Sequence, residues 1–295
     1  MDGVLNIAKP PGMTSFDVVA EVRRIYGERR VGHSGTLDPA AAGVLPVFLG
    51  RAVRLAEFVT DRPKSYRAEM VLGVTTPTYD LTAQPVACAG ASAATLQDVK
   101  RAAQAFVGKV EQTVPGYSAV KVHGKRLYEM AREGKETPPL KRTVEIISLE
   151  ILSMSAGEYP RVLLDVRCSK GTYVRALCHD IGQRLGLGAA MAFLVRTASG
   201  PFSIEQSRTL EEVRAGAEEA LLPSEAAMAG RPAVRLKTDQ SAERLCNGVK
   251  PSPVEISGLD ALGPGEVVGV FSPGGRLLAV GEAARGTVII RKVLC

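Results

Sequence analysis

The chain has 295 residues, 45% hydrophobic and 23% charged, with a net charge of +6. That composition excludes a disordered or fibrous chain and suits one large domain or one large plus one small; the basic excess fits an anionic partner without requiring one. Cys88, Cys168, Cys178, Cys246 and Cys295 are odd in number, scattered and free of C-x-x-C pairs, so a disulfide framework and a structural zinc are not expected and a reducing compartment is.

The N-terminal MDGVLNIAKPPG lacks the apolar core of a signal peptide, so a cytoplasmic location is expected. GVLNIAK reads as a strand stopped by Pro10, Pro11 and Gly12, after which Thr14 or Ser15 caps a helix carrying Val18, Val19, Val22 and Ile25. Next comes GHSGTLDPAAAGVLPVFLG, Gly32 to Gly50, in which Asp38 precedes Pro39 between a glycine turn and an apolar run. The apolar runs at 40–50 and 185–195 are shorter than the roughly 20 residues that span a membrane, so no membrane association is expected. KSYRAEMVLGV alternates, with Tyr66, Ala68, Met70 and Leu72 on one face and Arg67 and Glu69 on the other, which predicts a half-buried strand.

Thr95 and Asp98 form a capping box for a helix with Leu96, Val99, Ala103 and Phe106 at helical spacing. Residues 115–142 differ in texture: from Lys121 to Arg142 there are seven Lys or Arg against three Glu, with Tyr117, His123 and Tyr128 nearby. Strands follow at 143–153 and 161–168, the second with Val162, Leu164, Val166 and Cys168 on one face. KGTYVRALCHDIGQRLG is a predicted helix capped by Thr172 and buried through Val174, Leu177, Cys178, Ile181 and Leu185. A further helix starts at a Thr209–Glu212 capping box, and after about Gly230 short apolar strands alternate with Gly/Pro turns. The pattern predicts an α+β protein with a mainly antiparallel mixed sheet, organised as a large domain over 1–229 and a small β-rich one over 230–295.

Several chemistries find no motif. There is no phosphate-binding G-x-x-x-x-G-K-[ST] loop and no complete dinucleotide fingerprint, and His33, His123 and His179 have no metal spacing. Asp38 is either the first residue of an Asp-Pro turn or a carboxylate positioned by a rigid loop. Arg175 stands in the first turn of a helix, where the backbone dipole disfavours a cation; it is either a snorkelling surface arginine or a buried clamp for an anion. Tyr66 is a core tyrosine or a ring for stacking on a flat substrate. A hydrolase built on His33, Ser34 and Asp38 is a rival reading, weakened by their closeness in sequence.

In order along the chain, NIAKPPGMTSFDVV, GHSGTLDPAAAGVLPVFLG, KSYRAEMVLG, PGYSAVKVHGKRLYEMAREG, CSKGTYVRALCHDIGQRLG and AFLVRTASGPF closely resemble the signature blocks of the TruB family of tRNA pseudouridine synthases. Two departures stand out: TTPTYDLTAQ has Pro77 where the family has aspartate, and PGYSA has Gly116 where a second proline is usual. The resemblance implies a pseudouridine synthase fold with a PUA-like C-terminal domain, and isomerisation of uridine 55 in the tRNA T loop without cofactor or metal. It implies Asp38, Tyr66 and Arg175 as catalytic residues, and His33, Tyr173, Leu194, Lys121, Lys125 and Arg126 as substrate-binding ones. The basic segment 115–142 would grip the T stem-loop, His33 would fill the space left by the flipped base, and a monomer is expected. The alternative is a non-catalytic tRNA-binding or RNA-chaperone protein on the same fold.

Overall fold

The computed structural model describes residues 1–118, 120–122, 124–133 and 140–295. In chain order the strands are β1 (Gly3–Lys9), β2 (Val31–His33), β3 (Ala42–Leu49), β4 (Lys64–Leu72), β5 (Val74–Thr75), β6 (Ala87–Cys88), β7 (Gly108–Thr113), β8 (Lys121–Val122), β9 (Lys125–Arg126), β10 (Lys141–Met154), β11 (Arg161–Cys168), β12 (Ala189–Ser199) and β13 (Phe202–Ser203). Five more follow: β14 (Ala233–Leu236), β15 (Ile256–Ser257), β16 (Val267–Phe271), β17 (Leu277–Ala284) and β18 (Thr287–Val293). The helices are α1 (Ser15–Tyr26), α2 (Ala56–Thr60), α3 (Leu96–Gln104), α4 (Leu127–Arg132), α5 (Val174–Arg184), α6 (Leu210–Ala215), α7 (Ala217–Ala220) and α8 (Asp239–Cys246).

Among the described residues the main sheet runs β1-β3-β12-β4-β11-β10-β7, with β2 beside β3 and β13 beside β12. Its pairings are antiparallel except β3 with β12, where Gly43 lies opposite Arg196. A second sheet, β15-β14-β16-β17-β18, forms the C-terminal region. The α+β class and its antiparallel-rich sheet match the expectation.

The alternation predicted for β4 holds: Ala68, Met70 and Leu72 enter a core with Leu164, Val166, Leu177 and Ile181, while Arg67 and Glu69 pair outside with Asp165 and Arg161. The apolar run of β3 has two buried faces, which explains why it does not alternate in polarity. Leu45, Val47 and Leu49 pack towards α1 and α6 with Val18, Val22 and Val213. Val44 and Phe48 pack on the opposite side with Leu277, Val280 and Leu294 of the C-terminal region. The loop carrying Asp38 therefore leads into a strand clamped from both sides.

Side-chain caps fix several helix starts. Thr14, Thr95 and Thr209 each cap a helix in a complete box with Asp17, Asp98 and Glu212. Two expectations need correction. Thr172 does not cap α5; its hydroxyl donates to the Ser169 carbonyl at 3.0 Å, and the N-cap is Tyr173, which offers no side-chain cap. The helix predicted from Thr209 breaks at Gly216, giving α6 and α7.

The cysteine reading is also corrected. Cys246 at the end of α8 is bonded to Cys295, with Cα atoms 5.4 Å apart across a separation of 49 residues. Fold proximity, not sequence spacing, brings the two together. Cys88, Cys168 and Cys178 are free.

Candidate active site

The loop between β2 and β3 carries Asp38 and is fastened from three sides. The Asp38 carbonyl accepts from the Ala41 N–H at 3.0 Å, so the Asp-Pro turn forms. Beneath it Lys9, only 1% exposed, donates from Nζ to the carbonyls of Pro10 (2.9 Å), Met13 (2.7 Å) and Pro39 (3.2 Å). Burial pushes the Lys9 ammonium down to about 8, and the Asp38 charge works in the opposite direction. Ser15 Oγ accepts from the Leu37 N–H at 2.9 Å. From β12, Arg196 is 1% exposed and donates to the carbonyls of Val44 (2.7 Å) and Gly35 (3.1 Å). The turn thus uses the backbone of Asp38 and leaves its carboxylate, 43% exposed, free to face the cleft.

The cleft, about 90 Å³, is lined by Thr36, Leu37, Asp38, Tyr66, Thr172, Tyr173, Val174, Arg175, Met191 and Leu194. Five of the predicted site residues, Asp38, Tyr66, Tyr173, Arg175 and Leu194, meet there. Of the two readings of Arg175 the buried clamp is the one observed. Its side chain is 5% exposed, and Nε lies 3.5 Å from Asp38 Oδ2. Its other nitrogens donate to the carbonyls of Thr78 (3.3 Å) and Tyr117 (2.7 Å).

Asp80 supplies a second carboxylate, 3.8 Å from Arg175. It is itself fixed by the Thr78 hydroxyl (2.8 Å) and the Thr82 N–H (3.1 Å). The substitution at Pro77 leaves this network in place. Two acids around one buried guanidinium compensate its charge, as a buried cation requires.

Tyr66 sits on β4 opposite Arg196 on β12. Burial raises its phenol above the usual value, while the charge of Arg196 and its hydrogen bond to the hydroxyl work the other way. The ring therefore stands at the cleft as a neutral phenol. Tyr173 is held by a reciprocal pair with Gln112, its N–H donating at 2.8 Å and its carbonyl accepting at 3.0 Å. Arg142 and Arg175 approach its ring at 5.5 and 5.7 Å, within cation–π range.

His33 lies outside the cleft lining, half-buried at the end of β2; burial, and then the Arg196 charge, lower its pKa. Its imidazole is neutral near pH 7. Ser34 is fully buried with its Oγ unpartnered, so no His33–Ser34–Asp38 relay forms. The free thiols of Cys168 and Cys178 are pushed by burial to about 11 and about 12, which makes them inert. Among the described residues no cluster of His, Cys, Asp or Glu is placed to hold a metal ion, and no helix is long and apolar enough to cross a membrane.

Of the basic segment, Lys125 is exposed on β9, which pairs with β8. The side chains of Lys121 and Arg126, and all of His123, lie outside the described residues. Sequence reasoning gave no role to Lys9 or Arg196, although both stand inside the quoted signature blocks. Their signal was a cation within an otherwise apolar context, which alone does not separate a surface residue from a buried clamp.

Similarity to known proteins agrees with this geometry. Residues 23–174 match the TruB family pseudouridylate synthase N-terminal domain, and residues 175–229 match the tRNA pseudouridylate synthase B C-terminal domain. The chain is 52% identical over 252 residues to tRNA pseudouridine synthase B of Symbiobacterium thermophilum, covering 85% of this chain and 84% of that protein. It is 43% identical to the Pelotomaculum thermopropionicum protein of the same name, covering 97% and 92%. Among solved structures, a chain of an H/ACA RNP bound to a substrate RNA containing 2′-deoxyuridine superposes with a TM-score of 0.76 at 27% identity, covering 99% of this chain and 85% of that one. A chain of a Cbf5-Nop10-Gar1 complex gives 0.77 at 29% identity, with the same coverage. Signature blocks, sheet order and site geometry thus converge with these similarities: the chain belongs to the TruB family of pseudouridylate synthases.

Proposed function

We propose that this protein isomerises uridine 55 in the T loop of tRNA to pseudouridine, with Asp38 as the reacting carboxylate. The observation that carries the reading is the placement of Asp38, exposed to a cleft faced by Tyr66 and Leu194, 3.5 Å from the buried guanidinium of Arg175. The reaction breaks the N1–C1′ bond, turns the base and joins C5 to C1′. The proton lost from C5 balances the one gained at nitrogen, so no donor or redox partner is consumed.

Asp38 either attacks C1′, giving a glycosyl ester, or removes a proton from C2′; both begin from the carboxylate. When bound RNA excludes water, Arg175 supplies the counter-charge that the solvent gave. Tyr66 packs on the base, and its hydroxyl is placed to pass on the C5 proton. Leu194 contributes apolar contact, and Tyr173 a ring approached by Arg142 and Arg175.

The target uridine must leave its stack, at a cost of a few kcal/mol. His33, neutral and half-buried, fills the space it leaves. Lys121, Lys125 and Arg126 belong to a segment carrying seven cations and three Glu, suited to the phosphate backbone of the T stem-loop. The catalytic unit spans 1–229, and the β-rich region over 230–295 acts as a PUA-like RNA contact. We place the protein in the cytoplasm as a monomer acting on tRNA.

The test is to give the purified protein an unmodified T-arm stem-loop in buffer with chelator and to map pseudouridine. Product at position 55, abolished by Asp38→Asn while RNA affinity changes less than about tenfold, or roughly 1.4 kcal/mol, is the expected result. An unchanged uridine would overturn the reading. Equal loss of binding and product in the variant would assign Asp38 to binding or folding.

A further inference from the structure

The segment Thr76–Thr82, which departs from the family pattern at Pro77, is fastened on three sides. Towards β12, Met191 N–H donates to the Tyr79 carbonyl and Leu81 N–H to the Met191 carbonyl, each at 2.9 Å. Within the loop, the Thr76 hydroxyl donates to the Asp80 carbonyl at 2.7 Å, and Thr78 and Thr82 hold the Asp80 carboxylate. Towards α5, Arg175 takes the Thr78 carbonyl and faces Asp80. One turn further along α5, the His179 ring stacks on Tyr79, with centroids 4.0 Å apart and planes 18° apart. Residues four apart share a helix face, so Arg175 and His179 grip neighbouring residues of one loop.

Tyr79 has φ +65°, alone among the described non-glycine residues in being positive. A bulky side chain persists there only where its surroundings over-determine it. The resemblance gives a role to Arg175 but none to Tyr79, His179 or their stack.

We propose that the Tyr79–His179 stack is a positioning device: it holds residues 76–82 against α5 so that Asp80 and the Thr78 carbonyl keep Arg175 aimed at Asp38. The inference rests on the reading of Asp38 and Arg175 given above. Neither ring lines the cleft, so their effect on the reaction passes through Arg175. The imidazole is half-buried with Nδ1 unpartnered, so ring contact with Tyr79, not hydrogen bonding at Nδ1, anchors it on this side.

The test compares His179→Ala, His179→Phe, Tyr79→Asn and Tyr79→Phe on the T-arm substrate. Asparagine accepts a left-handed backbone, so Tyr79→Asn removes the ring and spares the turn. Both ring-deleting variants should lower kcat about tenfold to a hundredfold with RNA Kd and Tm unchanged. Both phenylalanine variants should restore most of the loss, and His179→Ala should add nothing in an Arg175→Lys background. Wild-type kcat in the ring-deleting variants, or a loss that follows Tm and is not rescued by phenylalanine, would overturn the proposal. Activity surviving in Asp38→Asn defeats the underlying reading instead. An inactive Asp38→Asn beside fully active His179→Ala and Tyr79→Asn defeats the stack's role alone.

Discussion

Arg175 Nε points at Asp38 Oδ2 from 3.5 Å and has no hydrogen-bond partner of its own. The other two guanidinium nitrogens are taken by the carbonyls of Thr78 and Tyr117. One planar fork thus fixes the loop around residue 78 and the Tyr117 segment, and reserves a donor for the carboxylate. A lysine keeps the charge but concentrates its donors on one flexible ammonium and lacks the planar fork that reaches three separated partners. Arg175→Lys should therefore lower the single-turnover rate by about a hundredfold or more while RNA binding stays close to wild type. A wild-type rate would show that charge without the fork suffices.

The close approach of β3 to β12 depends on a glycine. A Cβ on Gly43, which has φ +105°, would lie 2.3 Å from the Arg196 carbonyl oxygen. Neither backbone can retreat, because each strand is paired on its other side. Gly43→Ala should cost about 3 kcal/mol or more in urea unfolding. Gly12 is the control: it also has positive φ but open space around it, so its alanine variant should cost only the backbone strain, about 1–2 kcal/mol. Equal losses at the two positions would mean that strain, not the clash, decides the effect.

These residues show where sequence legibility ends. The Thr14–Asp17, Thr95–Asp98 and Thr209–Glu212 boxes are readable because both partners lie within one helical turn. The faces of β4 and β11 are readable because side chains alternate. Asp38 and its turn were visible for the same local reason. Arg175 keeps two readings in sequence because its burial depends on Thr78 and Tyr117, 97 and 58 residues away. Arg196 is enclosed by the distant carbonyls of Gly35 and Val44, and Lys9 by those of Pro10, Met13 and the more remote Pro39, an arrangement that no periodicity encodes. Thr172 satisfied the composition rule for a cap, yet its hydroxyl closes a turn onto Ser169 instead. The Cys246–Cys295 bond had no spacing signal either.

That bond ties the end of α8 to the last residue of the chain, next to Leu294, which packs between the C-terminal sheet and β3. Closing a loop of 49 residues should contribute up to about 4 kcal/mol through the unfolded state. Reductant should lower Tm, and Cys246→Ser should show the reduced value with no further response. Thiol labelling under denaturing conditions should count three free cysteines before reduction, in keeping with Cys88, Cys168 and Cys178. A count of five in protein kept from reductant would remove the bridge.

Asp180 follows His179 on α5, half-buried, and makes no hydrogen bond or ion pair among the described residues. Burial pushes its carboxyl up to about 6. Below pH ~3 the group is protonated in both the folded and unfolded chain. As pH rises from there, the unfolded chain releases the proton first, so this group removes stability until the folded form ionises near 6, and the penalty is then constant. The shift would correspond to about 3 kcal/mol in a fully enclosed site, and to roughly half of that with solvent screening. Asp180→Asn keeps the shape and removes the charge. Its Tm at pH 7 should exceed that of the wild type by about 3 °C, and the difference should vanish below about pH 3. A gain that persists below about pH 3 would come from packing, and no gain at pH 7 would show that the carboxylate is solvated. Because Asp180 adjoins the ring that stacks on Tyr79, the variant should also leave kcat at its wild-type value, separating the electrostatic strain on α5 from the grip of Arg175 and His179 on the loop.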